Sequence, residues 1–336
     1  MKAKLIFLFI VSTISCIERV NIEIDAGSDL LVVEGGITND NGPYELKLSL
    51  TTPYSTDPSL FGQERLLHGA KVYVIDVDDN TYTPMEMVRD GYYYTPTSFK
   101  GKIGHSYYVE ITWNENVYES SIEQIKKVPD IDTIYYRQIE GTENLGLYAD
   151  FQDGDLKNEF YLWRWEGYYQ LLSRLPGPPD YPDTFDCCNV CYVPLQNLEV
   201  NLLEDRLING NKIKEHLIAN IAINEPAGPT SLLINIEQLS ISEKEFEFWS
   251  RVKEQNENEG GLFDPIPSRL TGNMKNVTKK DEYVLGYFSV AGIKKSRIKI
   301  ERGKYSNELP YFGPPNTFDC RSLMPNATII KPEYWD

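Results

Sequence analysis

Side chains that alternate between apolar and polar at a period of two residues constrain the fold of this chain most strongly. Positions 44, 46, 48 and 50 are apolar and those between them are polar, and positions 107–113 have a similar pattern. Turn-forming segments such as 39–43 and 78–80 separate these runs. Because successive side chains of a strand point to opposite faces of a sheet, the pattern predicts half-buried strands and a mainly β protein.

The spacing of the runs also predicts how the chain is divided. Short strands between turns over residues 28–126 are typical of an immunoglobulin-like β-sandwich. Residues 127–336 are predicted to form a second β-rich domain with long loops, a helical insertion and a C-terminal tail. In this part Asn209-Gly210, between apolar residues, predicts a β-hairpin. Two apolar runs near the end, 283–290 and 297–300, predict two closing strands.

One segment of the second domain has the pattern of a helix. Ser242 followed by Glu245 is a capping-box pattern. Phe246, Trp249 and Val252 then recur at helical spacing, before a polar stretch begins. We therefore predict at least one helix, with an apolar stripe that packs on the sheet.

The N-terminus has the pattern of an export signal. Lys2 and Lys4 precede an apolar run at 5–11, and small residues follow. A basic start, a short apolar run and small residues are typical of a secretory signal peptide, which we place at residues 1–15. The run is shorter than the roughly 20 residues that a membrane-spanning helix requires.

Cys16 follows this signal at the position where a bacterial lipobox places its lipidated cysteine. Thr13 departs from the pattern, since leucine is usual there. Acylation of Cys16, with chains such as palmitate, would anchor the protein stably because more than one chain is attached. Residues 16–27 would then be the tether. The alternative is a plain signal peptide cleaved nearby, which leaves Cys16 as an ordinary thiol.

The charge of the chain excludes one class of partner. Its 33 lysines and arginines against 50 aspartates and glutamates give a formal net charge of −17. Nucleic-acid binding needs basic patches, and anionic lipid head groups attract basic segments. We therefore expect no nucleic-acid partner, and membrane contact through the lipid anchor only.

The remaining cysteines predict disulfides. They are Cys187, Cys188, Cys191 and Cys320. An even number in an exported protein is typical of disulfide bonding. Because segment 183–187 resembles 316–320, we expect Cys320 to pair with one of the first three and to pin the tail to the long loop. Sequence leaves three pairings open. The Cys188-x-x-Cys191 spacing also suggests zinc, although no second ligand pair lies nearby.

Two acidic turns have spacings that suit calcium. Asp76, Asp78 and Asn80 can offer oxygens to the ion, but the glycine and the later glutamate of an EF-hand are missing. The alternative is an acidic turn, and both interpretations also apply to Asp153 and Asp155. The chain has only three histidines and no recognisable catalytic or nucleotide-binding motif. We therefore predict no cofactor, no metal centre beyond these weak calcium candidates, and no catalytic residues.

Several short segments follow one another in an informative order. They include Leu31-Val32-Val33-Glu34-Gly35-Gly36, Gly69-Ala70-Lys71-Val72, Gly104-His105-Ser106-Tyr107, Val128-Pro129-Asp130, Phe246-Glu247-Phe248-Trp249, Thr271-Gly272-Asn273-Met274, Leu285-Gly286-Tyr287-Phe288 and Lys331-Pro332-Glu333-Tyr334-Trp335. In this order, after Cys16, they resemble the Bacteroidota lipoproteins known as domain of unknown function 4249. The resemblance covers nearly the whole chain after the signal peptide.

The resemblance implies an outer-membrane lipoprotein that faces the cell exterior. It implies an accessory or binding partner of a TonB-dependent receptor barrel, in nutrient uptake or envelope assembly, and it supplies no catalytic residues. The family often has a second cysteine near the tail Asp-Cys. Its absence at 316–318 implies that the tail disulfide is re-routed to the cluster at 187–191.

Further interpretations stay open beside this one. Aromatic clusters at 92–94 and 163–169 suggest direct carbohydrate or peptide binding, and a surface hydrolase with dispersed carboxylates is a third hypothesis. Loops 172–200 and 255–275 are candidate contact surfaces. Thr133 lies in an Asp-Thr-Ile segment that resembles an O-glycosylation site of exported Bacteroidota proteins, or it begins a strand.

Overall fold

A computed structural model gives the fold. It describes residues 29–52, 64–142, 144–154, 159–172, 190–197, 199–205, 210–221, 231–257, 270–301, 319–322 and 324–335. Cys16, Cys187, Cys188 and Asp155 lie outside these ranges, as do residues 173–189 and 258–269 of the two predicted contact loops. Within the ranges, no helix has both the length and the apolar character needed to span a membrane.

The described elements are mostly strands. They are β1 Leu31–Thr38, β2 Glu45–Leu50, β3 Arg65–Leu66, β4 Lys71–Asp76, β5 Thr81–Arg89, β6 Tyr92–Tyr94, β7 Ser106–Trp113, β8 Asn116–Ser120, β9 Glu123–Gln124, β10 Ile131–Gln138, β11 Leu145–Gln152, β12 Phe160–Leu172, β13 Val190–Gln196, β14 Asn201–Glu204, β15 Lys212–Ile221, β16 Ser231–Ile241, β17 Met274–Asn276 and β18 Leu285–Glu301. The helices are α1 Glu243–Glu257 and a 3₁₀ turn, Cys320–Ser322. The prediction of a mainly β protein with a helix is confirmed.

Two sheets contain these strands. The large sheet has the order β13-β12-β16-β18-β1-β2-β6-β5-β4-β7-β8-β17, with β14, β3 and β9 paired at its sides. The small sheet has the order β10-β11-β15. β5 pairs with β4 through its first half and with β6 through its second half, so it turns the corner of the N-terminal sandwich. The alternating residues predicted to be buried, such as Leu46, Leu48, Val109 and Ile111, lie in the core of that sandwich.

β18 crosses from one part of the molecule to the other. Its first half pairs in parallel with β1, and its second half pairs antiparallel with β16. The prediction of two closing strands is wrong here, because the residues between them continue the ladder as one strand of 17 residues. Gly286 permits the close approach of β1: its φ is +86°, and a Cβ there would lie 2.0 Å from the Val33 carbonyl oxygen. The predicted division at residue 127 stays a prediction, and the sheet is continuous across it.

The C-terminal part has three layers. Tyr161 and Trp163 on one face of β12 pack against Leu147 and Ala149 of the small sheet. On the opposite face of β12, Phe160 packs against α1. The chain passes between the two sheets after β14, since β14 pairs with β12 whereas β15 pairs with β11. Residues 206–209, which include Asn209 of the predicted hairpin, lie outside the described residues, so that hairpin stays a prediction.

The C-terminal tail covers the edge strand β13. Cys320 forms a disulfide with Cys191 of β13, across 129 residues of sequence. Thr328 exchanges backbone hydrogen bonds with Tyr192, and the Trp335 ring packs on Tyr192 with 4.8 Å between centroids. An uncovered edge strand can pair with other chains, so the disulfide and the terminal aromatic residue together close this edge. The bonded Cys191 is not available as a zinc ligand.

Candidate functional site

The start of α1 positions the first functional group. The Ser242 hydroxyl oxygen accepts a hydrogen bond from the Glu245 backbone N–H at 3.1 Å, as a capping residue does. The Glu245 side chain does not return to Ser242 as in a capping box. Instead it accepts a hydrogen bond from the Trp249 indole N–H at 3.3 Å, one turn further along. The cap therefore leaves a glutamate carboxyl beneath the helix, where it is fully buried.

Glu123 of β9 is the centre of the hydrogen-bond network at this junction. Its Oε1 accepts from the Tyr287 hydroxyl at 2.6 Å, the Ser121 hydroxyl at 2.8 Å and the Asn273 amide at 3.2 Å. Its Oε2 accepts from the Ser242 hydroxyl at 3.1 Å. These donors come from four separate segments of the chain. Glu123 thus joins the N-terminal sandwich to α1 and β18.

Glu123 and Glu245 act on each other through charge. Burial, and then the neighbouring Glu123 charge, raise the pKa of Glu245 to about 7. Burial and the same carboxylate raise the pKa of Tyr287 well above its ordinary value. The Oε2 atom of Glu245 has no hydrogen-bond partner. Near neutral pH Glu245 is therefore poised between its neutral and charged forms, beside a carboxylate that is held by donors.

A cleft opens beside these groups, between α1 and the large sheet. Its volume is about 760 Å³. Among its lining residues are Glu245, Phe248, Trp249 and Tyr287. The Phe248 ring lies 5.1 Å from that of Tyr287 and 5.4 Å from that of Trp249. The floor of the cleft therefore consists of aromatic rings with a buried carboxyl among them.

Charged side chains line the wall of the same cleft. Arg164 of β12 lies over the Trp249 ring, with its guanidinium carbon 5.5 Å from the centroid. Lys295 of β18 pairs with Asp40 at 2.8 Å and with Glu237 at 3.5 Å. A second hollow of about 370 Å³ shares Arg164, Glu237 and Trp249 with the first. The two hollows thus meet at the Arg164–Trp249 contact.

This arrangement suits binding of a polar ligand with an apolar face. Ligand sites are typically concave, about 300–1,000 Å³ in volume, and combine aromatic walls with a few polar groups. A carboxyl with a pKa near 7 also suits acid catalysis. However, the other carboxylate of this pair, Glu123, is not among the residues that line the cleft. The cleft is therefore a candidate binding site.

The calcium candidates of the first acidic turn are engaged in hydrogen bonds. The Asp76 carboxylate accepts from the backbone N–H of Asp78 and of Asp79, both at 3.1 Å, and lies 3.0 Å from His105 Nδ1. Burial raises the pKa of Asp76, but the backbone hydrogen bond from Asp79 and the contact with His105 bring that pKa below its ordinary value. Asn80 is the left-handed residue of the turn, with φ at +50°. The contacts described here are those of an acidic turn.

The remaining predicted residues lie apart from the cleft. Thr133 is exposed on β10, an edge strand of the small sheet, opposite Asp150 of β11. Of the aromatic cluster at 163–169, Trp163 and Tyr169 are buried in the core and Trp165 packs against it, and both tryptophans line the smaller hollow. His216 packs 5.3 Å from the Trp163 ring, and burial lowers its pKa to about 4. The sequence prediction did not include Glu123, because its donors lie up to 164 positions away.

Three segments that carry the family resemblance meet at this site. They are 246–249 in α1, 271–274 at the start of β17, and 285–288 in β18. The model of the family described as domain of unknown function (DUF4249) matches residues 17–297. The chain therefore belongs to this family. No curated protein matches it.

Proposed function

We propose that this protein is a lipid-anchored outer-membrane protein without enzymatic activity, which acts as a binding partner of a TonB-dependent receptor barrel. The family membership of residues 17–297 carries the proposal. The signal-like N-terminus followed by Cys16 supports the anchor. The acidic charge of the chain fits a protein that stays soluble beyond a membrane tether.

Gentle isolation from the natural host tests this proposal. A C-terminally tagged chain is solubilised from the outer membrane, and mass spectrometry identifies its acyl groups and its bound proteins. We expect a diacylated or triacylated Cys16 and a stoichiometric barrel. The matched control is Cys16→Ala, which should be released into the soluble fraction. A lipidated chain that is repeatedly isolated without a barrel contradicts the partnership, and an unmodified Cys16 contradicts the anchor.

The cleft favours a second candidate function, the direct capture of a carbohydrate or a peptide. The aromatic floor at Trp249 and Tyr287 can stack on an apolar ring face, and Arg164 and Glu237 can bind polar groups. This function is compatible with a barrel partner, which would receive the ligand.

Glycan and peptide arrays test this second function. A ligand found on either array is then titrated against the protein by calorimetry. We expect Trp249→Ala to weaken binding by about tenfold or more, since a stacking ring is lost. Tyr283→Ala, which removes an exposed aromatic residue outside the cleft, should bind as the unaltered protein does. Equal affinity of the two variants would contradict ligand binding in the cleft.

A further inference from the structure

Three carboxylates meet where the chain passes between the large and the small sheet. Asp153 follows β11, Glu159 precedes β12 and Asp205 follows β14. One carboxylate oxygen from each lies within 4.8 Å of those of the other two. Gly210, just before β15, reaches the same place through its backbone N–H, which donates to Asp153 Oδ2 at 3.0 Å. The residues therefore converge from four strands and both sheets.

The cluster is buried, and the carboxylate of Asp205 is left without a hydrogen-bond partner. The exposed fractions of Asp153, Glu159 and Asp205 are 3%, 4% and 0%. Both carboxylate oxygens of Asp205 lack a hydrogen-bond partner. A buried carboxylate is costly unless it is paired, hydrogen-bonded or bound to a metal. In keeping with that cost, burial and the neighbouring Asp153 raise the pKa of Asp205 to about 6.

The carboxylates of Asp153 and Glu159 are held in place around that of Asp205. The Tyr161 hydroxyl lies 2.9 Å from Asp153 Oδ1 and 3.2 Å from Glu159 Oε2. Gly154 makes room for the glutamate, because a Cβ at that position would lie 2.1 Å from Glu159 Oε2. A carboxylate oxygen can accept more than one interaction. These hydrogen bonds therefore orient the ligand set without saturating it.

We propose that Asp153, Glu159 and Asp205 form a calcium-binding site that ties the two sheets together. Two oxygens that share an ion at about 2.4 Å lie at most about 4.8 Å apart, which agrees with the observed spacing. Calcium accepts six to eight oxygens in flexible geometry. Zinc prefers nitrogen and sulfur, and magnesium demands a regular octahedron and retains its waters. A divalent ion also offsets the repulsion among three acids.

Thermal unfolding of the purified full chain tests the proposal. Unfolding is followed in EGTA, in millimolar CaCl₂ and in millimolar MgCl₂. We expect calcium to raise the midpoint by about 5 °C, and magnesium to raise it much less. Asp205→Asn keeps the shape of the side chain but removes its charge. In EGTA this variant should unfold at the same temperature as the unaltered protein or above it, and in calcium below it.

Which of the two proteins unfolds at the higher temperature, in EGTA and then in calcium, distinguishes an ion site from an acidic cluster that binds no ion. An acidic cluster without an ion predicts that Asp205→Asn is the more stable protein in every buffer, and that result would overturn the proposal. The matched control is Asp281→Asn, which removes the same charge from an exposed position and should keep the calcium response. Retention of the calcium response by Asp205→Asn would also overturn it.

A titration of the unaltered protein decides the question if the variant does not fold. Terbium occupies calcium sites and luminesces when a nearby aromatic ring is excited. Tyr161 donates to the cluster itself, so we expect sensitised terbium emission that calcium displaces at a ratio of one site per chain. An absence of displaceable emission, together with no calcium binding by calorimetry, would overturn the site.

Discussion

The molecule buries acidic residues in two places, and these differ in what surrounds the carboxylates. At the junction below α1, four side-chain donors satisfy Glu123, and Glu245 beside it has a pKa near 7. At the crossing between the sheets, three acids converge and the carboxylate oxygens of Asp205 have no hydrogen-bond partner. In the first cluster donors of the protein compensate Glu123, and Glu245 keeps one oxygen without a partner. In the second, our proposal is that a bound cation compensates the three acids.

This difference distinguishes a structural acid from a ligand-binding acid. Burial alone does not separate them, since both clusters are almost fully buried. What separates Glu123 from Asp205 is the supply of donors within the fold: Glu123 has four, whereas no donor reaches the Asp205 carboxylate. Five sets of substitutions test this distinction, and they are given in decreasing order of effect.

Glu123→Ala should be the most damaging change. It leaves the hydroxyls of Tyr287 and Ser242 and the amide of Asn273 without this acceptor, and unsatisfied buried groups are costly. We expect the free energy of unfolding in urea to fall by about 4 kcal/mol, equally with calcium or EGTA. A loss below about 1 kcal/mol would show that the donors find other acceptors and that the first cluster is not closed.

Removal of the Cys191–Cys320 disulfide should rank second. A cross-link over 129 residues restricts the unfolded chain strongly, so its loss should cost about 3 kcal/mol. Cys191→Ser, Cys320→Ser and the double variant should lose the same amount in urea unfolding. Their calcium response should match that of the unaltered protein, because the disulfide supplies no ligand. A changed calcium response would mean that the disulfide-linked tail affects the proposed calcium site.

Glu245→Gln should change the pH dependence of stability. The pKa of Glu245 in the folded protein is raised from 4.5 to about 7, so the folded state loses stability as pH rises through this interval. At about pH 8 the variant should therefore be more stable than the unaltered protein by about 2 kcal/mol, and near pH 4 it should gain nothing. Urea unfolding across this range checks the prediction. The profile should not depend on calcium.

Asp205→Asn gives a second pH profile of stability, for comparison with that of Glu245→Gln. Without calcium its gain should develop at lower pH, between the ordinary value of 3.8 and about 6, because that is the interval through which the pKa of Asp205 is raised. With calcium the gain at neutral pH should become a loss. If calcium leaves both profiles unchanged, the two clusters are of the same kind.

A pair of tyrosine substitutions should have the smallest effects. Tyr287→Phe removes a donor to Glu123, and Tyr161→Phe removes one that faces Asp153 and Glu159. Each should cost about 1 kcal/mol in EGTA. In calcium the cost of Tyr161→Phe should shrink, since the ion then compensates the carboxylates, and that of Tyr287→Phe should not. Equal behaviour of the two variants contradicts the comparison.

Much of the fold could be predicted from the sequence, because strand periodicity and turn residues act locally. The strands at 44–50 and 107–113 and the start of α1 after Ser242 were found in this way. The length of β18 was not, since its polar second half, with Lys294, Lys295 and Arg297, resembles a separate segment. A local pattern also does not specify which sheet receives the next strand: β14 joins the large sheet and β15 the small one.

The sites were less accessible to sequence than the fold. Asp153 was a calcium candidate because of its acidic turn, but Glu159 and Asp205 have no local pattern that connects them to it. They meet only because β11 and β14 end, and β12 begins, at the same place. Likewise Glu123 meets Tyr287 and Asn273 across 164 and 150 positions. Side chains that are brought together by sheet topology leave no spacing to recognise.

A crystal grown with terbium chloride would test the distinction most directly. An anomalous difference map places the ion without reference to stability or spectroscopy. We expect one strong peak among Asp153, Glu159 and Asp205, and none between Glu123 and Glu245. A map without a peak among Asp153, Glu159 and Asp205, or with its strongest peak beside Glu245, would contradict the calcium site.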